Sequence, residues 1–199
     1  MIENFRIRIT QFFAVLLLAM LLVSGSVWEA KAPFFSSLFF LMGAILAGIA
    51  SLGGLWCSLY IAGYKNEKLI TEGPYSISRN PLYFFSFLGA IGVGLASETI
   101  LVPIIILLAF VIYYPHVIKS EESKLKEIHG KQFEIYREKV PCLIPKLSYL
   151  TEPQVYSVKP IIFKRHIFSA LWFIWFIGIL ELIEELHELK VIPILFRIY

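Results

Sequence analysis

FFSSLFFLMGAILAGIASLGGLWCSLYIA, from Phe34 to Ala62, contains no Asp, Glu, Lys or Arg. At 1.5 Å of rise per residue, about 20 helical residues cross a bilayer's hydrocarbon core, and this run exceeds that length. Four further apolar segments surround it, at about Ile9–Trp28, Pro81–Ala96, Ile100–Ile118 and Ile167–Leu182. The whole chain has 199 residues, of which 58% are hydrophobic and only 17% charged. Its mean hydropathy is +0.73. A soluble domain of this size needs a larger charged fraction to clothe its surface. The predicted fold is therefore all-α, a polytopic membrane helix bundle of about five transmembrane helices forming one domain over residues 1–199.

The start of the chain has a signal-like look, with Arg6 and Arg8 ahead of an apolar run and Ala30-Lys31-Ala32 after it. The length of that run and the apolar character of everything that follows favour a retained helix. Basic residues set the orientation. Lys65, Lys68 and Arg79 follow the second apolar segment, and ten Lys and Arg side chains lie between Lys119 and Arg165. Ser97-Glu98-Thr99, between the third and fourth segments, has none. Alternation then places the N-terminus and both polar segments, 63–80 and 119–165, on the cytoplasmic side, with the C-terminal one as a cap. The expected location is the cell inner membrane. An extra apolar helix, 166–185, follows the cap.

The net charge of +3 is too small to suggest a nucleic-acid partner. Cys57 and Cys142 have no CxxC or Cys/His spacing around them, so neither a disulfide framework nor a metal site is expected. Gly89, Gly92 and Gly94 could be taken for a nucleotide-binding loop, but no strand precedes them. Together with Gly43, Gly48, Gly53 and Gly54 they read as close helix–helix packing.

Two polar islands carry the chemistry. The first is EGPYSISRNPLYFF, Glu72 to Phe85, and the second is EESKLKEIHGKQFEIYREKVPCLIP, Glu121 to Pro145. Gly73-Pro74 is a turn pair. Asn80 is a natural cap for a helix that starts at Pro81. Arg79 reads two ways, as an anion site at a helix N-terminus or as a snorkelling arginine meeting lipid phosphate. In the second island Glu122, Leu125, Ile128 and His129 recur at helical steps, continued by Phe133, Tyr136 and Val140. A carboxylate on an apolar face is costly unless paired or bound to a ligand, which singles out Glu122, with Glu121 in support. His129 reads either as a general base or as a turn histidine before Gly130.

These islands resemble those of the integral membrane methyltransferases that include isoprenylcysteine carboxyl methyltransferase and the phospholipid N-methyltransferases. The family pattern G-x-Y-x-x-x-R-[HN]-P-x-Y is matched by Gly73, Tyr75, Arg79, Asn80, Pro81 and Tyr83. The second pattern, E-E-x-x-L, F-G-x-x-[YF]-x-x-Y and V-P-x-x-[IF]-P, is matched by Glu121, Glu122, Leu125, Gly130, Phe133, Tyr136, Val140, Pro141, Ile144 and Pro145. Asn80 stands where prenylcysteine enzymes usually carry His, and His129 replaces the aromatic before the glycine.

The resemblance implies S-adenosylmethionine as cofactor, bound between the third and fourth helices under the cap. Arg79, Glu122 and Asn80 would then be catalytic. Gly73, Tyr75, Arg79, Pro81, Tyr83, Glu121, Glu122, His129, Phe133 and Tyr136 would line the cofactor site. The acceptor would be a lipidic or small hydrophobic molecule reached from the membrane lipids. Two alternatives stand beside this, a sterol-type membrane reductase using NADPH and a non-catalytic scaffold of the same fold. Against the first, Tyr83 is followed by Phe84, Phe85, Ser86 and Phe87, without the glycine and acidic residue expected there.

Overall fold

Apolar length and helix-breaking residues together decide where this chain is helical. The structure, a computed structural model, describes residues 15–64 and 67–199. Helix α1 occupies residues 15–23; the start of the first expected segment lies outside the described residues. That segment does not continue as helix to Trp28. Ser24–Ser26 forms a short strand, β1, and helix α2 covers Val27–Lys31. Ser-Gly-Ser favours leaving the helix, and the Ser26 hydroxyl restarts it by accepting from the backbone N–H groups of Trp28 and Glu29. Strand β1 pairs in parallel with β2, Phe196–Ile198.

Helix α3 spans Pro33–Ile61, α4 Pro74–Ile77, α5 Pro81–Ala96 and α6 Leu101–His129. Helix α7, Lys131–Lys139, and a 3₁₀ turn at Leu147–Tyr149 follow. Helices α8, Pro160–Ala170, and α9, Trp172–Glu188, close the bundle. Among the described residues, three stretches are long and apolar enough to cross a membrane: Pro33–Ile61, Leu101–His129 and Pro160–Glu188. Helix α5 is apolar but shorter. This is an all-α membrane bundle.

Two further boundaries differ from the sequence expectation. The last apolar helix begins at Pro160, with a break at Leu171, because proline suits a first helical turn. Helix α6 does not stop at Ile118 but runs to His129, so the second polar island opens as helix. Its 29 residues extend about 43 Å against a hydrocarbon core of about 30 Å. Its polar end therefore projects beyond the membrane core. Ile128 is 52% exposed there, so it does not share a buried face with Glu122.

Helices α3 and α5 meet backbone to backbone. A Cβ on Gly43 would lie 2.5 Å from the Gly92 oxygen and the Ala96 nitrogen, and one on Gly92 would lie 2.8 Å from the Ala47 nitrogen. The Phe173 ring of α9 fills the space beside Gly89. These glycines serve helix packing, as their spacing predicts; Gly48 is the exception, with nothing within 4 Å of its would-be Cβ. At the far end of α5, Glu98 is buried and accepts a hydrogen bond from the Ser36 hydroxyl. Burial lifts its carboxyl above the usual carboxylate range, opposed by that hydrogen bond.

Candidate functional site

At the other end of α5 the two polar islands are laced together. Gly73 has φ +59°, and a Cβ there would meet the Tyr60 ring at 2.3 Å, so only glycine fits the turn into α4. The Gly73 N–H donates to the Thr151 carbonyl at 2.8 Å, and the Thr151 N–H donates to the Ser76 hydroxyl at 3.0 Å. The next residues run against the second island in the opposite direction. Lys146 N–H donates to the Ile77 carbonyl at 2.9 Å, the Ser78 hydroxyl to the Leu143 carbonyl at 2.9 Å, and Arg79 N–H to the Pro141 carbonyl at 2.9 Å.

This lacing presents Arg79 to the end of α6. Its Nε donates to Glu122 Oε1 at 2.8 Å, and the two side chains are only 12% and 15% exposed. One terminal nitrogen, Nη1, donates to the carbonyls of Arg137 and Val140. The other, Nη2, makes no hydrogen bond among the described residues. Arg137 Nε stands 3.9 Å from Glu122 Oε2, beyond hydrogen-bond reach. The centre therefore holds one guanidinium with a spare donor and one carboxylate with a spare acceptor, in a half-buried setting.

Asn80 departs from the expectation drawn from its sequence. It occupies the N-cap position of α5 but makes no side-chain cap. Its amide nitrogen donates to the Cys142 carbonyl at 2.9 Å and lies 3.5 Å from Glu122 Oε1. The side chain is turned toward the facing loop, where the Cys142 carbonyl accepts from its amide nitrogen, and its oxygen does not take up the capping role. Pro81 opens α5 as predicted.

The remaining candidates spread outward. Tyr75, Phe133 and Tyr136 are buried. The Tyr136 hydroxyl donates to the Tyr75 carbonyl at 2.7 Å. Burial pushes both phenols upward, tempered at Tyr136 by Arg79, so they stay neutral. These side chains hold the islands together from within, while Tyr136 also borders an open cleft with Thr71, Gln132 and Tyr149. Tyr83 packs edge-on against Tyr114 of α6, ring centroids 5.2 Å apart. Glu121 is half-buried beside Glu122. His129 is half-buried, with no hydrogen bond or ion pair tying it to Arg79 or Glu122 among the described residues; its Nε2 is buried without a partner.

Cys142 was not singled out by sequence for this centre, yet its sulfur is 3.8 Å from Glu122 Oε1 and its carbonyl holds Asn80. Its place between Pro141 and Pro145 was the available signal. Tyr136→Phe removes one buried hydrogen bond across the islands and should lower stability by about 1 kcal/mol, read as a modest fall in melting temperature in detergent.

Residues 38–132 match the phospholipid methyltransferase family. The chain is 34% identical to the cobalt-zinc-cadmium resistance protein CzcN of Cupriavidus metallidurans, over 87% of this chain and 81% of that protein. The chain belongs to the phospholipid methyltransferase family. Within this phospholipid methyltransferase family member, the matched region includes the Gly73–Tyr83 island together with Glu121 and Glu122. A second relative, the nickel-cobalt-cadmium resistance protein NccN of Alcaligenes xylosoxydans xylosoxydans, is 34% identical over 85% of this chain and 78% of its own length. The protein-S-isoprenylcysteine O-methyltransferase of Schizosaccharomyces pombe is 31% identical over 41% of this chain and 34% of its own length. No solved structure matches.

Proposed function

We propose that this member of the phospholipid methyltransferase family transfers a methyl group from S-adenosylmethionine to a lipidic or membrane-associated small acceptor at the cytoplasmic membrane face. The observation that carries the reading is the half-buried Arg79–Glu122 pair at the junction of the two islands. Its spare groups suit the cofactor. Arg79 Nη2 can donate to a carboxylate, and Glu122 Oε2 can accept from an ammonium or a ribose hydroxyl. When bound, S-adenosylmethionine supplies an electrophilic methyl group on a sulfonium.

The chain's own residues then hold and orient. Asn80 fixes the Cys142 carbonyl and so the loop beside Glu122. Gly73 and Pro81 set the backbone around Arg79. Tyr75, Phe133 and Tyr136 give the centre rigid, neutral aromatic support, and Tyr83, Glu121 and His129 complete the cofactor surroundings. Methyl transfer needs an in-line approach, and positioning in a site shielded from water supplies much of the rate. A carboxylate, amine or thiol acceptor anchored in the bilayer reaches this end of the bundle laterally. The metal-resistance names of two relatives that align along most of the chain support a setting in resistance to divalent transition metals.

Calorimetric titration of the purified protein tests this. S-adenosylmethionine is expected to bind, and Arg79→Ala or Glu122→Ala to weaken it at least tenfold. NADPH binding without S-adenosylmethionine binding would replace the reading with a reductase. Unchanged binding in both variants would remove the site assignment. Radiolabelled methyl incorporation into a total lipid extract reads the transfer itself, and intact cofactor binding with no incorporation would favour a non-catalytic scaffold.

A further inference from the structure

Helix α5 separates the Arg79 centre from a second polar cluster at the opposite end of the bundle. There Glu29 of α2 faces Glu184 and Glu188, which lie one turn apart on α9. One carboxylate oxygen from each lies within 4.8 Å of the other two. Oxygens bound to one divalent cation at about 2.0–2.6 Å lie at most about 5.2 Å apart, a limit this group satisfies. We infer that this cluster binds a divalent metal cation through Glu29, Glu184 and Glu188.

Three further observations bear on it. Among the described residues none of these carboxylates has an ion-pair partner, although three carboxylates converge. Two neighbouring cations are engaged elsewhere: Lys31 lies over the Tyr199 ring, and Arg197 donates to the Ser26 carbonyl at 2.8 Å. Secondly, Glu29 and Glu184 line a cavity shared with Ser24, Glu98 and His187. Ser24 is only 6% exposed, yet its hydroxyl has no hydrogen-bond partner. Ser24 thus brings a buried, unpartnered oxygen to the wall of an acidic cavity. Thirdly, His187 Nε2 lies 2.9 Å from the Leu22 carbonyl. A carbonyl can only accept, so that nitrogen donates and the ring is held in the cavity wall. The converging carboxylates form a hard oxygen donor set.

The test is calorimetry on the full chain in detergent with Zn²⁺ and, separately, Ca²⁺. At least one is expected to bind at about one ion per chain, and the double variant Glu29→Gln/Glu184→Gln to weaken it at least tenfold. Melting without metal should be at or above wild type in that variant, because the repulsion is relieved, whereas added metal should raise the melting temperature of wild type only. Should the double variant fail to fold, Glu188→Gln, which alters an exposed side chain, is expected to weaken binding in the same direction. Binding of neither ion would overturn the inference, as would equal binding in every folded variant. Arg79→Ala is expected to leave metal binding intact, which keeps this result separate from that of the cofactor reading.

Discussion

Arg79→Ala is expected to destabilise the protein by about 3 kcal/mol, the range seen when one partner of a largely buried ion pair is removed. The substitution deletes the contact to Glu122 and the hydrogen bonds to the Arg137 and Val140 carbonyls. It leaves Glu122, 15% exposed, with Arg137 at 3.9 Å as the one remaining cation within 4 Å among the described residues. Most of the loss is thus the cost of an abandoned carboxylate. Glu122→Gln in the Arg79→Ala background should restore part of the stability, because a neutral amide is cheaper to leave half-buried than a charge. Arg79→Lys should rescue less than its conserved charge suggests, since an ammonium cannot reproduce the planar fork that serves Glu122 and two carbonyls together. Thermal unfolding of the three variants in one detergent checks the order. A double-mutant cycle with no coupling between positions 79 and 122 would show that the pair is a surface accident.

That pair was partly legible in the sequence. Helical spacing singled out Glu122 as a carboxylate among apolar neighbours, and the turn chemistry of Gly73-Pro74 and Asn80-Pro81 marked where the first island enters α5. Which partner each polar group would choose was not legible. Asn80 has the local propensity to cap a helix, but a tertiary carbonyl at Cys142, distant in sequence, takes its amide. Helix α6 persists to His129 because its polar turns keep good helix formers after the apolar signal has ended. The acidic cluster was invisible for another reason. Glu29 and Glu184 are separated by most of the chain, each sits near a helix end, and only the bundle's return path brings them together. Sequence spacing finds ligands on one helix or loop, and this group comes from two helices at the start and end of the chain.

Gly43→Ala, the smallest possible change, is expected to cost about 2–3 kcal/mol through overpacking. Its methyl would lie 2.5 Å from the backbone nitrogen of Ala96 and the carbonyl oxygen of Gly92. Neither is the tip of a flexible side chain, so the clash is relieved only if α3 and α5 move apart. Alanine's better helix propensity, worth up to about 1 kcal/mol, returns only part of the loss. Gly48→Ala on the same helix has nothing within 4 Å of the new methyl, so propensity acts alone and stability should hold or rise by up to about 1 kcal/mol. One substitution type on one helix is therefore expected to act in opposite directions, which melting temperatures in detergent would read directly. A Gly43→Ala protein as stable as wild type would mean that α3 and α5 do not meet backbone to backbone. The contact matters for the site as well, because α5 is the rod whose first turn carries Asn80 and Pro81. Shifting that rod moves Arg79 relative to α6, so Gly43→Ala should also weaken the Arg79–Glu122 coupling from the far half of the bundle.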